Sequence, residues 1–339
     1  MDAAVKREDG KVWIEDVPSI GWGKDIECTF AGALSAALTV TDHPCSYSDV
    51  MGYTGLAFRV RWFHGETGQR WCPSSPVGEF PEEIEAIQKA TGWRLRCEVE
   101  LDKTELDMGK YRGDIVASID AGFPVLAYEP KLNMDVIYGY RNGGETLILE
   151  DYFSEKPLEL APEGLGPFVV ILEEHGTGMS EEEAIRAGLE IAVANWDREP
   201  MPSAKGRYHY GTGALEAWAN DLGEVSTLSA EERNNLHFVS WWNYTSLFDA
   251  RIAAVAFLGR AAEVLEGSAS EALNRASACI EEEIDVLRVS FTEKIAFHGP
   301  WSGKGTDAWT EETREREREI LRRAEEAEEK AMGELRKAL

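Results

Sequence analysis

Positive charge is scarce in this chain of 339 residues: 35 Lys and Arg stand against 62 Asp and Glu, for a formal net charge of -27. Binding to phosphates needs a basic patch, so this balance argues against nucleic acid as a partner and against anionic membrane surfaces. It favours, weakly, cationic ligands such as polyamines or amino sugars. Cysteine is sparse too. The five, Cys28, Cys45, Cys72, Cys97 and Cys279, are odd in number and form no Cys-x-x-Cys pair. That excludes a disulfide framework and points to a reduced, cytoplasmic protein. Residues 1–11 carry no apolar signal segment, and no apolar run reaches the length of a membrane span. No His, Cys, Asp and Glu cluster has zinc spacing, so neither a metal nor a cofactor is expected. Gly211-Thr212-Gly213 is followed by Glu216 where a third glycine belongs, and Gly303-Lys304-Gly305 lacks the upstream glycine of a phosphate loop. Dinucleotide and P-loop sites are excluded on those grounds.

What is present suits a folded protein: 43% hydrophobic residues, 10% aromatics and eleven Trp. The length predicts two domains, or one core with a large extension. Residues 11–17 and 93–101 read as strands, and 55–63 reads as extended because Phe58, Val60 and Trp62 alternate with Arg59 and Arg61. Residues 41–53 read as polar and turn-rich, and 64–78 as a loop. Helices are expected from Pro81 and over 107–121, the second closed by Gly122 and Pro124. Strand signals follow at 124–128, 134–140, 146–150 and 168–172, with Asn142-Gly143-Gly144 as a hairpin turn. This is an α+β pattern to about residue 176.

From 177 to 339 the pattern is helical. The capping boxes Ser180/Glu183, Ser229/Glu232 and Ser268/Glu271 each precede a helical period. The expected faces are Ile185, Leu189, Ala192 and Trp196; then Phe248, Ile252, Val255, Gly259 and Ala262; then Ile280, Ile284, Leu287 and Phe291. Residues 213–222 form a shorter helix with Leu215, Trp218 and Leu222 on one side. The charged segment 310–339 has a narrow stripe of Ile320, Ala324, Ala327, Ala331 and Leu335, which fits either a helix laid on the bundle or a coiled-coil-like seam for a second copy of the chain.

The chemistry is expected near residues 21–38. Two glycines mark a loop, and Cys28 stands before an Ala- and Leu-rich run with Phe30, Ala33, Leu34 and Leu38 at helical spacing. A cysteine at the first turn of such a helix meets unpaired N–H groups and the positive end of the dipole, which favour thiolate. The alternative is a small buried apolar residue, common for free cysteine. A nucleophile also needs a base and a group to orient it. In the second half of the domain, Gly122-Phe-Pro-Val-Leu-Ala-Tyr128, Asn133-Met-Asp-Val-Ile-Tyr-Gly-Tyr140 and Leu147-Ile-Leu-Glu-Asp151 follow in series.

This series, with Cys28 heading its helix, resembles the papain-like superfamily that includes bacteriocin-leader-cleaving peptidases, and more closely the family named for the N-terminal domain of butirosin biosynthesis protein H. Residues 213–222 resemble the helical region that follows this domain in related proteins. The resemblance implies a papain-like domain followed by an all-helical one, with Cys28 as nucleophile and Asp151 as the orienting carboxylate. It implies acyl transfer from a thioester or amide to an amine, in a biosynthetic setting, with backbone N–H groups at the helix start holding the oxyanion. The family His is not matched, since its strand opens Asn133-Met134-Asp135. Asp135 is a poor base for a thiol; His64 and His43 are the nearest substitutes. A carboxylate at position 151 also suits a turn. Trp22, Trp62, Tyr138, Trp241 and Trp242 are the aromatic candidates for a substrate pocket, the last two from the helical domain. Two functions follow: a Cys28-dependent acyltransferase or amide-processing enzyme acting on a small-molecule or carrier-bound acyl substrate, or an inactive papain-like binding or scaffold protein.

Overall fold

The computed structural model describes residues 4–24, 26–65, 70–71, 80–99, 109–128, 133–166, 168–203, 205–292 and 309–339. Cys72, most of the loop at 64–78 and Gly303-Lys304-Gly305 lie outside the described residues. The chain forms two compact units, Met1–Val50 with Ile84–Ser180, and Met51–Glu83 with Glu181–Leu339. Segment 51–83 groups with the residues after 180.

In chain order the elements are β1 (Val5–Glu8), β2 (Lys11–Ile14), α1 (Thr29–Thr39), α2 (Tyr47–Tyr53), β3 (Arg61–Gly65), α3 (Phe80–Thr91), β4 (Trp93–Val99) and α4 (Gly109–Asp120). Then come β5 (Val125–Tyr128), β6 (Met134–Arg141), β7 (Thr146–Glu150), β8 (Leu158–Leu160) and β9 (Phe168–His175). The remainder comprises α5 (Glu181–Trp196), β10 (Met201–Ser203), β11 (Gly206–Tyr210), α6 (Gly211–Gly223), α7 (Ala230–Val264), α8 (Ser268–Thr292) and α9 (Glu311–Ala338). The fold is mixed, with an antiparallel sheet first and helices at the C-terminal side.

The first unit is built on β6, whose two edges serve three strands. Its start pairs with β5 (Val125↔Ile137, Tyr128↔Met134) and its end, on the same edge, with β2 (Trp13↔Gly139, Lys11↔Arg141), while β7 takes the other edge. The ladder shifts register between Ile137 and Gly139. A Cβ at Gly139 would lie 2.7 Å from the Val12 carbonyl oxygen, so only glycine lets β2 approach there. The sheet continues through β9 to β4, all antiparallel. One face carries Val125, Ala127, Ile137, Leu147, Leu149, Val169 and Ile171 against Tyr111, Ile115 and Ile119 of α4. Each such side chain contributes about 1.5–3 kcal/mol by leaving water. The alternate residues Leu126, Met134, Val136, Ile148 and Val170 are also buried and face the other way, and α1 packs along β5 and β6. Both faces are therefore covered, which explains the near-continuous apolar strands. The turn expected at Asn142-Gly143-Gly144 forms, with all three residues at positive φ.

In the second unit α7, α8 and α9 pack together, α6 lies on α9, and β10–β11–β3 make a small antiparallel sheet. The stretch expected as one strand over 55–63 divides into a single 3-10 turn at Leu56–Phe58 and β3, because Gly55 at φ 72 starts a turn. The capping box at Ser229/Glu232 is present with both hydrogen bonds. Helix α8 begins at Ser268 itself, so Ser268 is its first residue and not its cap. The face expected for α7 is not the buried one. Leu247, Ala250, Arg251, Ala254, Phe257, Leu258 and Ala261 are buried, whereas Phe248, Ile252, Val255 and Ala262 are half-buried and Gly259 is exposed. The reason is Arg251, with Asp249: a charge on the inner face masks the apolar period. The α9 stripe is buried within the unit, so it is not a seam left open for a second copy.

Arg251 is fully buried. Its Nη1 donates to the Ala57 carbonyl at 2.8 Å, and its guanidinium holds Glu283 (Nε to Oε2, 3.1 Å) and Glu328. Burial, then Glu328, push the Glu283 carboxyl well above the ordinary value of 4.5 against the pull of Arg251. One guanidinium thus faces two buried carboxyl groups, and the fold favours the protonated form of Glu283. We predict that Arg251→Met costs about 3–5 kcal/mol in urea unfolding, because it strands buried acids. A raised folded pKa means the neutral form is preferred in the fold. Stability tied to Glu283 is complete below about pH 4.5 and declines as pH rises toward the folded value. Glu283→Gln should therefore gain on the parent protein from pH 5 to pH 8 in thermal melts; an unchanged difference would refute this.

Candidate functional site

Cys28 occupies the N-cap position of α1 with extended backbone and is 5% exposed. Its carbonyl accepts the Gly32 N–H (2.9 Å), and its own N–H donates to the Tyr47 hydroxyl at 3.1 Å. Three strand ends of the same unit converge here. The Met134 N–H at the start of β6 donates to Thr29 Oγ1 (3.2 Å). Tyr128 closes β5, and burial followed by the nearby Cys28 sulfur pushes its phenol up. After β7, the Tyr152 hydroxyl donates to the Ile26 carbonyl (3.0 Å). A Cβ at Gly32 would meet that hydroxyl at 2.2 Å, so the first turn of α1 must carry glycine to accept Tyr152.

The other candidates divide into those near this end and those elsewhere. Asp151 is buried, and its Oδ1 accepts the N–H groups of Phe153 (3.1 Å) and Ser154 (2.5 Å), the pattern of an Asx turn. Trp22 packs on Tyr152 (centroids 5.0 Å) and edge-on to Phe153. Tyr138 is half-buried, and burial, then Glu150 and Glu159, push its phenol up to about 12. Asp135 is fully buried and pairs across the ladder with Ala127, on the face shared with Ile137 and α4; Tyr128, beside Cys28, is on the opposite face. Strand alternation therefore points Asp135 away from the thiol. His43 lies beyond the far end of α1. Eleven residues at 1.5 Å each put about 16 Å between the helix ends, so His43 is not the base for Cys28. It stacks on His175 (3.4 Å, 6°), the one other histidine of this unit.

Trp62, His64, Trp241 and Trp242 belong to the second unit. Trp62 is a core residue, fully buried and stacked on Trp218 (5.0 Å, 7°). Trp241 and Trp242 are half-buried, edge to face with each other and tilted against Phe238. His64 is held by a residue the sequence reading did not single out. Asp221 of α6, 6% exposed, accepts Trp62 Nε1–H (2.7 Å), Trp71 Nε1–H (2.8 Å) and His64 Nδ1–H (3.0 Å). Its hydrogen bond is the main cause that raises His64 above its ordinary value of 6.5. Nearby, burial, Arg207 and His64 lower His209. No local signal marks Asp221, an acidic residue late in an amphipathic helix and 157 positions from His64. The pair has the form of an oriented imidazole, with Nδ1–H held by Asp221.

Among the described residues no group of three or more His, Cys, Asp and Glu could hold a metal ion, and no helix is long and apolar enough to cross a membrane. No protein-family model matches the chain, and no curated protein does. What the residues can do chemically must be read from the geometry.

The raised His64 contributes stability that is complete below pH 6.5 and is lost as pH rises through its folded pKa. Asp221→Asn should lower the His64 titration midpoint in NMR spectra of the imidazole and cost about 1.5–3 kcal/mol, since charged hydrogen bonds are lost. The cost should be larger at pH 6 than at pH 8.

Proposed function

We propose that this is a papain-like binding or scaffold protein whose cysteine-headed helix is retained as architecture, with Cys28 a packed thiol and not a nucleophile. The observation that carries this reading is the hydrogen bond from the Cys28 N–H to Tyr47. In thiol-dependent acyl transfer, backbone N–H groups at the nucleophile stabilise the oxyanion; here the first of them already has a partner. The two histidines of this unit, His43 and His175, stack together beyond the other end of α1, so neither serves as a base at Cys28. The dipole at a helix start is worth about 0.3–2 kcal/mol, less than the several kcal/mol that burying a charge costs. The strongly acidic chain suits a cationic small-molecule ligand.

A second reading is favoured by one feature, the convergence of Tyr47, Tyr128 and the β6 start on Cys28. In it the Cys28 sulfur attacks a thioester carbonyl, the thiol proton leaves with the carrier thiol, and an amine then takes the acyl group and restores Cys28. Iodoacetamide labelling of each cysteine against pH, read by peptide mass spectrometry, separates the two. We expect Cys28 to label slowly at pH 6–7 and to rise only with ordinary thiol ionisation, around pH 8.5. Fast labelling below pH 7 would refute the binding reading and select acyl transfer.

A further inference from the structure

Beyond the far end of α1 the first unit has a half-open cavity of about 150 Å³, walled by the residues after the helix, the start of β4, the turn after α4 and the end of β9. That volume is comparable to an engineered cavity that binds benzene. Its chemistry is one-sided. Trp93 and Phe123 meet edge to face (5.5 Å) and Trp93 lies edge-on to His175 (5.3 Å). Trp93 is 3% exposed and its indole N–H is engaged with the His43 carbonyl (3.3 Å), while Phe123 is half-buried and presents its ring to the cavity wall. The Thr41 hydroxyl donates to the Leu38 carbonyl. A carbonyl only accepts, so His175 Nε2, 2.9 Å from the Thr91 carbonyl, carries the proton and Nδ1 is an acceptor. Burial, then His43, hold His175 below its ordinary value, so the ring is neutral at pH 7. Asp42, an exposed residue of the lining, adds a carboxylate, and among the described residues no Lys or Arg lines the cavity.

We infer that this cavity is a binding site for a small primary ammonium ion with a short apolar or aromatic body. Aromatic faces attract cations, a carboxylate and an imidazole acceptor complete the partners of an ammonium group, and among the described residues no lining Lys or Arg favours an anion. The site involves neither Cys28 nor its end of the sheet. The inference deepens the binding reading and rests on it for its biological sense, by naming the ligand class.

The test uses the full chain, with benzylamine as probe at pH 7.5, where it is protonated. Benzyl alcohol and benzoate serve as neutral and anionic analogues of the same shape. The ring C–H signals of His43 and His175 in NMR spectra should shift saturably with benzylamine, at least about tenfold more tightly than with either analogue. Asp42 is exposed and Asn has nearly its shape; Asp42→Asn, with its thermal melt matched to the parent protein, should weaken binding at least about fivefold. Glu199→Gln, an exposed change in the second unit, should leave it unaltered. Absence of saturation, equal binding of benzoate, or an unchanged affinity in Asp42→Asn would each overturn the site. Those failures, with Cys28 slow to label, would leave the binding reading standing; fast labelling of Cys28 would remove that reading whatever benzylamine does.

Discussion

Strand β6 must satisfy three partners with two edges, and the first unit is arranged around that constraint. The β5 pairing uses its first half, the β2 pairing its second, and Gly139 gives β2 the room it needs at the register shift. With β7 on the opposite edge, the strand is buried on both faces and along both sides. Helix α1 has its first turn fixed from the same place, by the Met134 N–H on Thr29 and the Tyr152 hydroxyl on Ile26. The position of Cys28 is thus a consequence of sheet geometry, and a cysteine there would be held in place with or without a reaction to perform.

That separation of architecture from chemistry is the main point about function. A helix headed by cysteine over an antiparallel sheet supplies placement and a modest dipole. It does not supply a base, and here the nearest backbone donor is engaged by Tyr47. Asp151, in the place of an orienting carboxylate, spends an oxygen on two backbone N–H groups of its own turn. The polar groups at this end of the sheet are engaged in holding the loop, the helix and the strands together.

In the second unit, polar groups do work usually assigned to apolar ones. Arg251 with Glu283 and Glu328, Glu317 with Ser240 and Trp309, and Asp221 with two indoles are all buried, and Asp221 also holds the part-exposed His64 imidazole. Such groups cost more to leave unpaired than they return when paired, so they tie helix positions to particular partners. Arg251 fixes α7 against α8 and α9, and Glu317 fixes α9 against Trp218 through Ser240. Packing by shape alone would tolerate sliding of long helices; a buried ion pair does not.

The sequence by itself determined the local elements. The Ala- and Leu-rich run after Cys28 reads as a buried helix, the alternation from Trp93 to Val99 and the short apolar runs at 124–150 read as strands, and the glycines at 143 and 144 marked a turn because they accept positive φ. The inner faces of α5, α8 and α9 were legible because their apolar residues recur with the helical period. The inner face of α7 was not, since Arg251 and Asp249 interrupt that period with charges whose partners lie on other elements. Nor were β1, β8, β10 and β11, short strands whose existence depends on a neighbour to pair with. Tertiary structure alone decided the site. It set His43 against His175, His64 against Asp221 and the Cys28 N–H against Tyr47, and each of these is a contact between elements distant in the chain. Hydrogen bonds and burial are properties of pairs, and a sequence read one residue at a time reports propensities but not partners.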